Sequence, residues 1–188
     1  MSEPVERRGA RPPRRSRKAL ACVGAIVAGA HGAAAGADGL EVFVSIHKRR
    51  VAEGLRMIAA ATEDRDPFLI LAWPPSSPVQ AYVQCLFNDD STKIYCEAQS
   101  GTLDPEPGRR PSPAGLAALA RLGFDMDASK GNFQRYMPVK EPRDIEAVAE
   151  FMLTALYAGY EGVVDRPIVW VSPNASEADA ARRCAPTS

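Results

Sequence analysis

The chain has 188 residues, 46% of them hydrophobic, with a formal net charge of zero. That apolar content supports one buried core with appendages, not two domains. Residues 1–18 carry Arg7, Arg8, Arg11, Arg14, Arg15, Arg17 and Lys18 against Glu3 and Glu6, so the remainder is net acidic; this argues against a nucleic-acid-binding core, because affinity for phosphate backbones rests on clustered basic side chains.

The basic arm comes first, followed by an Ala- and Gly-rich run at residues 19–30 and by Ala35-Gly36-Ala37 ahead of Asp38, which has the form of a signal-peptide cleavage site. Two readings stand side by side. In one the protein is cytoplasmic and residues 1–48 are a disordered arm; in the other residues 1–37 are a cleaved leader and the protein is periplasmic. A misassigned start is a third reading, with Met57 as the internal methionine that would remove the extension. The run is short and poor in large apolar side chains, so no stable membrane span is expected. Cys22 opens the run instead of ending it, which argues against a lipoprotein.

Val51, Leu55 and Ile58 recur at helical spacing and predict a helix over residues 49–61 that lies on a sheet. Residues 67–73 form a short apolar run closed by Pro74-Pro75-Ser76-Ser77-Pro78, a buried strand leading into a turn. The next strand alternates, with Val79, Ala81, Val83, Cys85 and Phe87 on one face and Gln80, Tyr82, Gln84 and Leu86 on the other. Residues 92–98 repeat the pattern, with Ile94 and Cys96 facing away from Lys93, Tyr95 and Glu97. A two-residue loop at Asp89-Asp90 pairs Phe87 with Thr92, setting Val83 opposite Cys96 and Cys85 opposite Ile94. Cys85 and Cys96 then read as reduced core thiols. A shift of two residues would instead bring them into disulfide range, a bridge that an oxidising compartment favours and that would leave Cys184 an unpaired tail thiol.

Farther on, Ser112 is an N-cap and Pro113 the first helical residue. Leu116, Leu119 and Ala120 form the expected buried stripe, Gly123 is a left-handed stop, and Phe124 makes the apolar contact beyond it. Residues 132–139 read as a fourth strand. Residues 142–158 read as the longest helix, with an apolar face of Ile145, Val148, Ala149, Met152, Ala155 and Leu156. Residues 167–171 add an edge strand, and the tail from Ser172 reads as solvated. The order helix, three strands, helix, strand, helix is α+β: a predominantly antiparallel sheet with helices packed on one face. The expected organisation is an extension at 1–48, a domain at 49–162 and a tail at 163–188.

Tyr82-Val83-Gln84, Lys93-Ile94-Tyr95-Cys96-Glu97-Ala98-Gln99-Ser100, Leu122-Gly123-Phe124, Gly131-Asn132-Phe133 and the long last helix resemble the type III secretion chaperone-like family, TY-Chap, which is related to YbjN-type bacterial proteins. The resemblance covers residues 67–160. It implies a small bacterial α+β domain that binds other proteins, often as a dimer, with no chemistry of its own. One departure lies at the end of the last helix: where the family places glycine directly after a tyrosine, Tyr160 is followed by Glu161 and only then by Gly162.

The inventory of reactive groups agrees with that implication. His31 and His47 are the only histidines, and neither stands at metal-ligand spacing from Cys, Asp or Glu, so no metal site is expected. The sequence contains no G-x-S-x-G and neither of the familiar glycine-rich phosphate loops, so no catalytic residue, cofactor or enzymatic activity is expected. The sheet face carrying Tyr82, Gln84, Leu86, Tyr95 and Glu97 is the expected protein-binding surface, for another protein or a second copy of the chain, since tyrosine combines contact area with a polar tip. A solvated sheet face would show the same pattern. Glu97 and Arg135 are expected to meet as a surface ion pair across strands. The alternative function is an exported small-ligand or stress-sensing domain with an apolar pocket between sheet and last helix.

Overall fold

The computed structural model of the chain describes residues 22–23, 37–60, 68–79, 81–87, 92–103 and 109–172. The elements in chain order are β1 (Cys22–Val23), α1 (Ala37–Ala60), β2 (Phe68–Ala72), β3 (Tyr82–Phe87), β4 (Lys93–Ala98), α2 (Pro113–Arg121), a single 3-10 turn (Ala128–Lys130), β5 (Phe133–Pro138), α3 (Pro142–Gly159) and β6 (Val169–Val171). The strands form one sheet in the order β1-β6-β2-β3-β4-β5, with every neighbouring pair antiparallel. The protein is therefore α+β, as the order of predicted elements implies.

One face of the sheet carries the core. Leu69, Leu71, Val83, Cys85, Ile94, Cys96 and Ala98 are buried there beneath α1 and α3. Val51, Leu55 and Ile58 of α1 and the whole expected stripe of α3, from Ile145 to Leu156, are buried against it. The two helices also pack on each other, with Lys48 Nζ 2.7 Å from Glu150 Oε2 and Arg56 bonded to Glu146 along their solvent side. Tyr160, 1% exposed, closes the core: its hydroxyl donates to the Gln99 carbonyl at 2.6 Å, and its own carbonyl accepts from Trp73 Nε1 at 3.0 Å.

Several local expectations are corrected. The first helix begins at Ala37, so α1 runs through the boundary placed after residue 48; Phe43 and His47 extend the buried stripe of Val51 upstream at four-residue spacing. In α2 the Ser112 cap is present, its side chain accepting from Gly115 N at 3.2 Å, and Gly123 takes φ 79°. The buried face, however, is Gly115, Ala118 and Leu119, while Leu116 is 37% exposed and Ala120 is exposed. The cause is a close helix crossing: Gly115 lies directly against the carbonyl of Gly159, which rotates the contact away from the larger side chain. β6 is not an edge, because β1 pairs with its outer side through Cys22↔Trp170 and Val23↔Val169.

The β3–β4 register differs by two residues from the expected one. Cys85 stands opposite Cys96, Phe87 opposite Ile94 and Val83 opposite Ala98. Both registers keep the same residues on the core face, because sheet faces repeat every two residues; hydrophobic alternation could not choose between them. The turn at 88–91, which does choose, lies outside the described residues. In the observed register Cys85 and Cys96 are joined by a disulfide across a Cα–Cα separation of 4.1 Å, in place of the reduced thiols expected. His31 and Cys184 lie outside the described residues.

Candidate functional site

Because α1 and α3 cover one face, side chains pointing the other way form a surface that no described helix covers, called the open face below. Cross-strand pairing arranges them in rows. Ile70, Gln84, Glu97 and Gln134 make one row, and Phe68, Leu86, Tyr95 and Tyr136 make the next. All five residues expected to bind a partner, Tyr82, Gln84, Leu86, Tyr95 and Glu97, lie on this face and are half-buried by their sheet neighbours. Tyr136 adds to them at 61% exposure, its ring 5.0 Å from that of Tyr95.

Glu97 organises the middle of the face. Its Oε1 accepts from the Tyr95 hydroxyl at 2.6 Å, and its Oε2 accepts from Asn132 Nδ2 at 3.4 Å. Asn132 also donates to the Tyr82 hydroxyl at 2.7 Å, while its Oδ1 accepts from Ser100 N at 3.3 Å. Gly131 makes this placement possible: it takes φ 101°, a backbone state that favours glycine, and its carbonyl accepts from Ser100 Oγ at 2.7 Å. The Gly-Asn-Phe stretch thus turns the chain into β5 and orients the carboxylate through one amide. Phe133 then enters the core while Asn132 serves the open face.

The electrostatics favour presentation of charge over proton transfer. Burial raises the Tyr95 phenol well above its ordinary range, and the hydrogen bond to Glu97 and its charge raise it further. Burial raises Tyr82 as well; the Asn132 bond opposes the shift and the Glu97 charge adds to it. Both phenols stay protonated at neutral pH, which leaves a fixed carboxylate ringed by neutral aromatic hydroxyls. That arrangement can accept a cation or hydrogen-bond donors and offers ring faces for stacking.

The expected Glu97–Arg135 ion pair is not formed. Arg135 stands opposite Cys96, on the core side, where its guanidinium lies 4.8 Å from the centre of the Phe151 ring; Glu97 pairs with Gln134 and faces the other way. Adjacent residues of a strand point to opposite faces, so Arg135 and the residue opposite Glu97 cannot share one. Arg135, Gly123, Phe124 and Asp125 instead line an open depression of about 470 Å³ at the β5 border. Sequence reasoning missed Tyr136, Gln134 and Asn132 as members of the open face. The signal for Tyr136 was present: Phe133 and Met137 alternate as apolar positions, which sends Gln134 and Tyr136 outward.

Among the described residues no group of His, Cys, Asp or Glu is arranged to hold a metal ion, and no helix is long and apolar enough to cross a membrane. A one-sided antiparallel sheet, with helices behind and a tyrosine-lined face in front, defines a small binding domain. More specifically, residues 47–167 match the family described as T3SS (YopN, CesT) and YbjN peptide-binding chaperone 3, TY-Chap3, and the chain belongs to that family. No curated protein and no solved structure matches the chain.

Proposed function

We propose that this chaperone-family domain is a non-enzymatic module that holds an extended segment of a partner protein across its open sheet face. The observation that carries the reading is the exposed Tyr136 beside Tyr95 and the oriented Glu97, on a face that neither α1 nor α3 covers. Phe68, Ile70 and Leu86 supply apolar contact, and Glu97 supplies one polar anchor for register. A second copy of the chain is the competing occupant.

The test is capture of the partner by tagged protein. Tyr136→Ala removes a ring that contributes to no core contact, so its thermal midpoint should stay within about 2 °C of the parent while capture falls at least tenfold. Equal capture by variant and parent would place the partner elsewhere. Light scattering that shows a dimer lost on the same substitution would assign the face to self-association.

One observation favours the second reading, an exported sensing domain: the Cys85–Cys96 bridge, because disulfides persist mainly in oxidising compartments. Intact mass of the native protein decides. Loss of residues 1–37 together with an intact bridge supports export; a full-length chain with reduced thiols supports the cytoplasmic reading.

A further inference from the structure

We propose that the depression at the β5 border is a carboxylate-binding site, in which Arg135 holds an acidic side chain of the partner segment. This rests on reading the open face as the partner site, and adds the chemistry that the segment must carry.

Arg135 is fixed in place yet has no counter-ion among the described residues. Its guanidinium lies 4.8 Å from the centre of the Phe151 ring, and Phe151 stacks on Phe124 at 5.2 Å, so two buried rings back the planar group. Gly123 lies against the same guanidinium: a Cβ there would come 3.0 Å from Nη1, so only bare backbone leaves the group this room. The carboxylate of the rim is already engaged. Asp125 Oδ2 accepts from Lys130 Nζ at 2.8 Å, and its Oδ1 accepts from Asp127 N at 3.1 Å. What remains in the depression of about 470 Å³ is a guanidinium fork, whose parallel N–H groups match the two oxygens of a carboxylate.

A second donor faces the same border. Gln134 N donates to the Asp125 carbonyl at 3.3 Å and the Gln134 carbonyl accepts from Asp125 N at 2.7 Å, both on the side of β5 away from β4. Hydrogen-bonding direction along an antiparallel strand repeats every second residue, so the Tyr136 N–H points outward too. No described carbonyl beyond that border accepts from it.

Charge narrows the ligand. Lys130 lies 2.8 Å from Asp125 and 3.6 Å from Asp127, so Lys130 and Arg135 together balance the two aspartates. One added carboxylate meets one open guanidinium, whereas a phosphate dianion would bring a second negative charge beside Asp125.

Position ties the depression to the open face. The row of Phe68, Leu86, Tyr95 and Tyr136 runs across the strands and ends at Tyr136, because β5 is the last strand of the sheet. Tyr136 also lines the depression. A segment following that row therefore passes off the β5 border over Arg135. Strands lie about 4.8 Å apart and an extended chain advances about 3.3 Å per residue, which puts the acidic side chain one or two residues beyond the one that rests on Tyr136.

The experiment is an NMR titration of the full chain with sodium benzoate, its neutral isostere benzamide and inorganic phosphate, each at the same ionic strength. Benzoate should shift the Arg135 side-chain N–H and the Tyr136 backbone N–H saturably, and at least tenfold more strongly than benzamide or phosphate. No shift at Arg135, or an equal response to benzamide or to phosphate, overturns the proposal; the parent protein alone gives this answer. Arg135→Gln should abolish the benzoate shift at Tyr136, and Arg135→Lys, which keeps the charge but not the fork, should weaken it, while Glu97→Gln should leave it unchanged. Selection from a random peptide library then tests the partner's chemistry. The parent should enrich Asp or Glu one or two residues from a large apolar residue, and Arg135→Gln should lose the acidic preference while keeping the apolar one. An acidic preference that is absent from the parent, or that survives in Arg135→Gln, also overturns the proposal. Tyr136→Ala separates it from the reading beneath. If that variant loses the apolar preference while the parent shows no acidic one, the carboxylate site alone falls; if it selects the same peptides as the parent, the open-face reading falls and the proposed path to Arg135 with it.

Discussion

His47 is the one histidine among the described residues, and its surroundings shift its titration. It is 5% exposed on α1, its ring packs edge-on against Phe43 at 4.8 Å, and its Nε2 has no bonding partner. Burial and then the charge of Arg50 lower its pKa from 6.5 to about 4. The unfolded chain therefore takes up a proton between those values that the folded chain refuses, so stability is full above pH 6.5 and falls as the pH drops toward 4. The loss amounts to about 3 kcal/mol at most. Urea unfolding at pH 7 and pH 4.5 should show it, and His47→Leu should flatten the difference; a parent protein equally stable at both values would mean that the imidazole is already solvated. Asp125, Asp127 and Asp144 are held below their usual range by hydrogen bonds, chiefly from Lys130, Ser129 and the Lys140 backbone respectively, so their contribution is lost only below that window. At the end of α3, Glu161 takes φ 52°, the left-handed state that glycine adopts freely, and Gly162 N bonds back to the Tyr157 carbonyl at 2.8 Å. The family's Tyr-Gly order would relieve that strain; here the turn is made one residue before the glycine.

Among the elements, α2 is held by backbone proximity more than by side-chain bulk. A Cβ on Gly115 would strike the Gly159 carbonyl, and one on Gly159 would come 2.9 Å from Leu119 Cδ2. In an open helix, alanine is favoured over glycine by about 1 kcal/mol. Here the sign should reverse, with Gly115→Ala costing about 1–3 kcal/mol as α2 is pushed from α3. Chemical denaturation of that variant checks it, and unchanged or higher stability would show that α2 is free to yield. The same crossing explains why the stripe read from α2 was off by one position. Leu116 is the larger residue, but close approach requires the small ones to face inward, and spacing alone does not say how near the neighbour comes.

For the molecule as a whole, the disulfide ties two central strands of the sheet across a sequence separation of 11. Closing a loop of that size lowers unfolded-chain entropy by about 3 kcal/mol in the chain-entropy model. Because Cys85 and Cys96 sit in the one core shared by α1, α3 and the sheet, reduction should displace the entire unfolding transition. Parallel urea curves with and without reductant measure this; coincident curves would show that the bridge adds nothing to the fold.

Most of the fold was legible because burial has a local period. Two-residue alternation named the core and open faces of β3 and β4, so Tyr82, Gln84, Leu86, Tyr95 and Glu97 could be placed together, and the 3.6-residue stripe of α3 was read whole. The reach of α1 was harder to see, since its first turns share an Ala- and Gly-rich region with leader-like features, and the Phe43–His47–Val51 spacing was read only from Val51 onward. Tertiary structure alone decided the β3–β4 register, the meeting of Cys85 with Cys96, the separation of Glu97 from Arg135, and the joining of Asn132 to Tyr82 and Glu97. The reason is the same in each case: periodicity assigns a side chain to a face, whereas register and long-range contacts depend on turns and neighbouring strands that no local window contains.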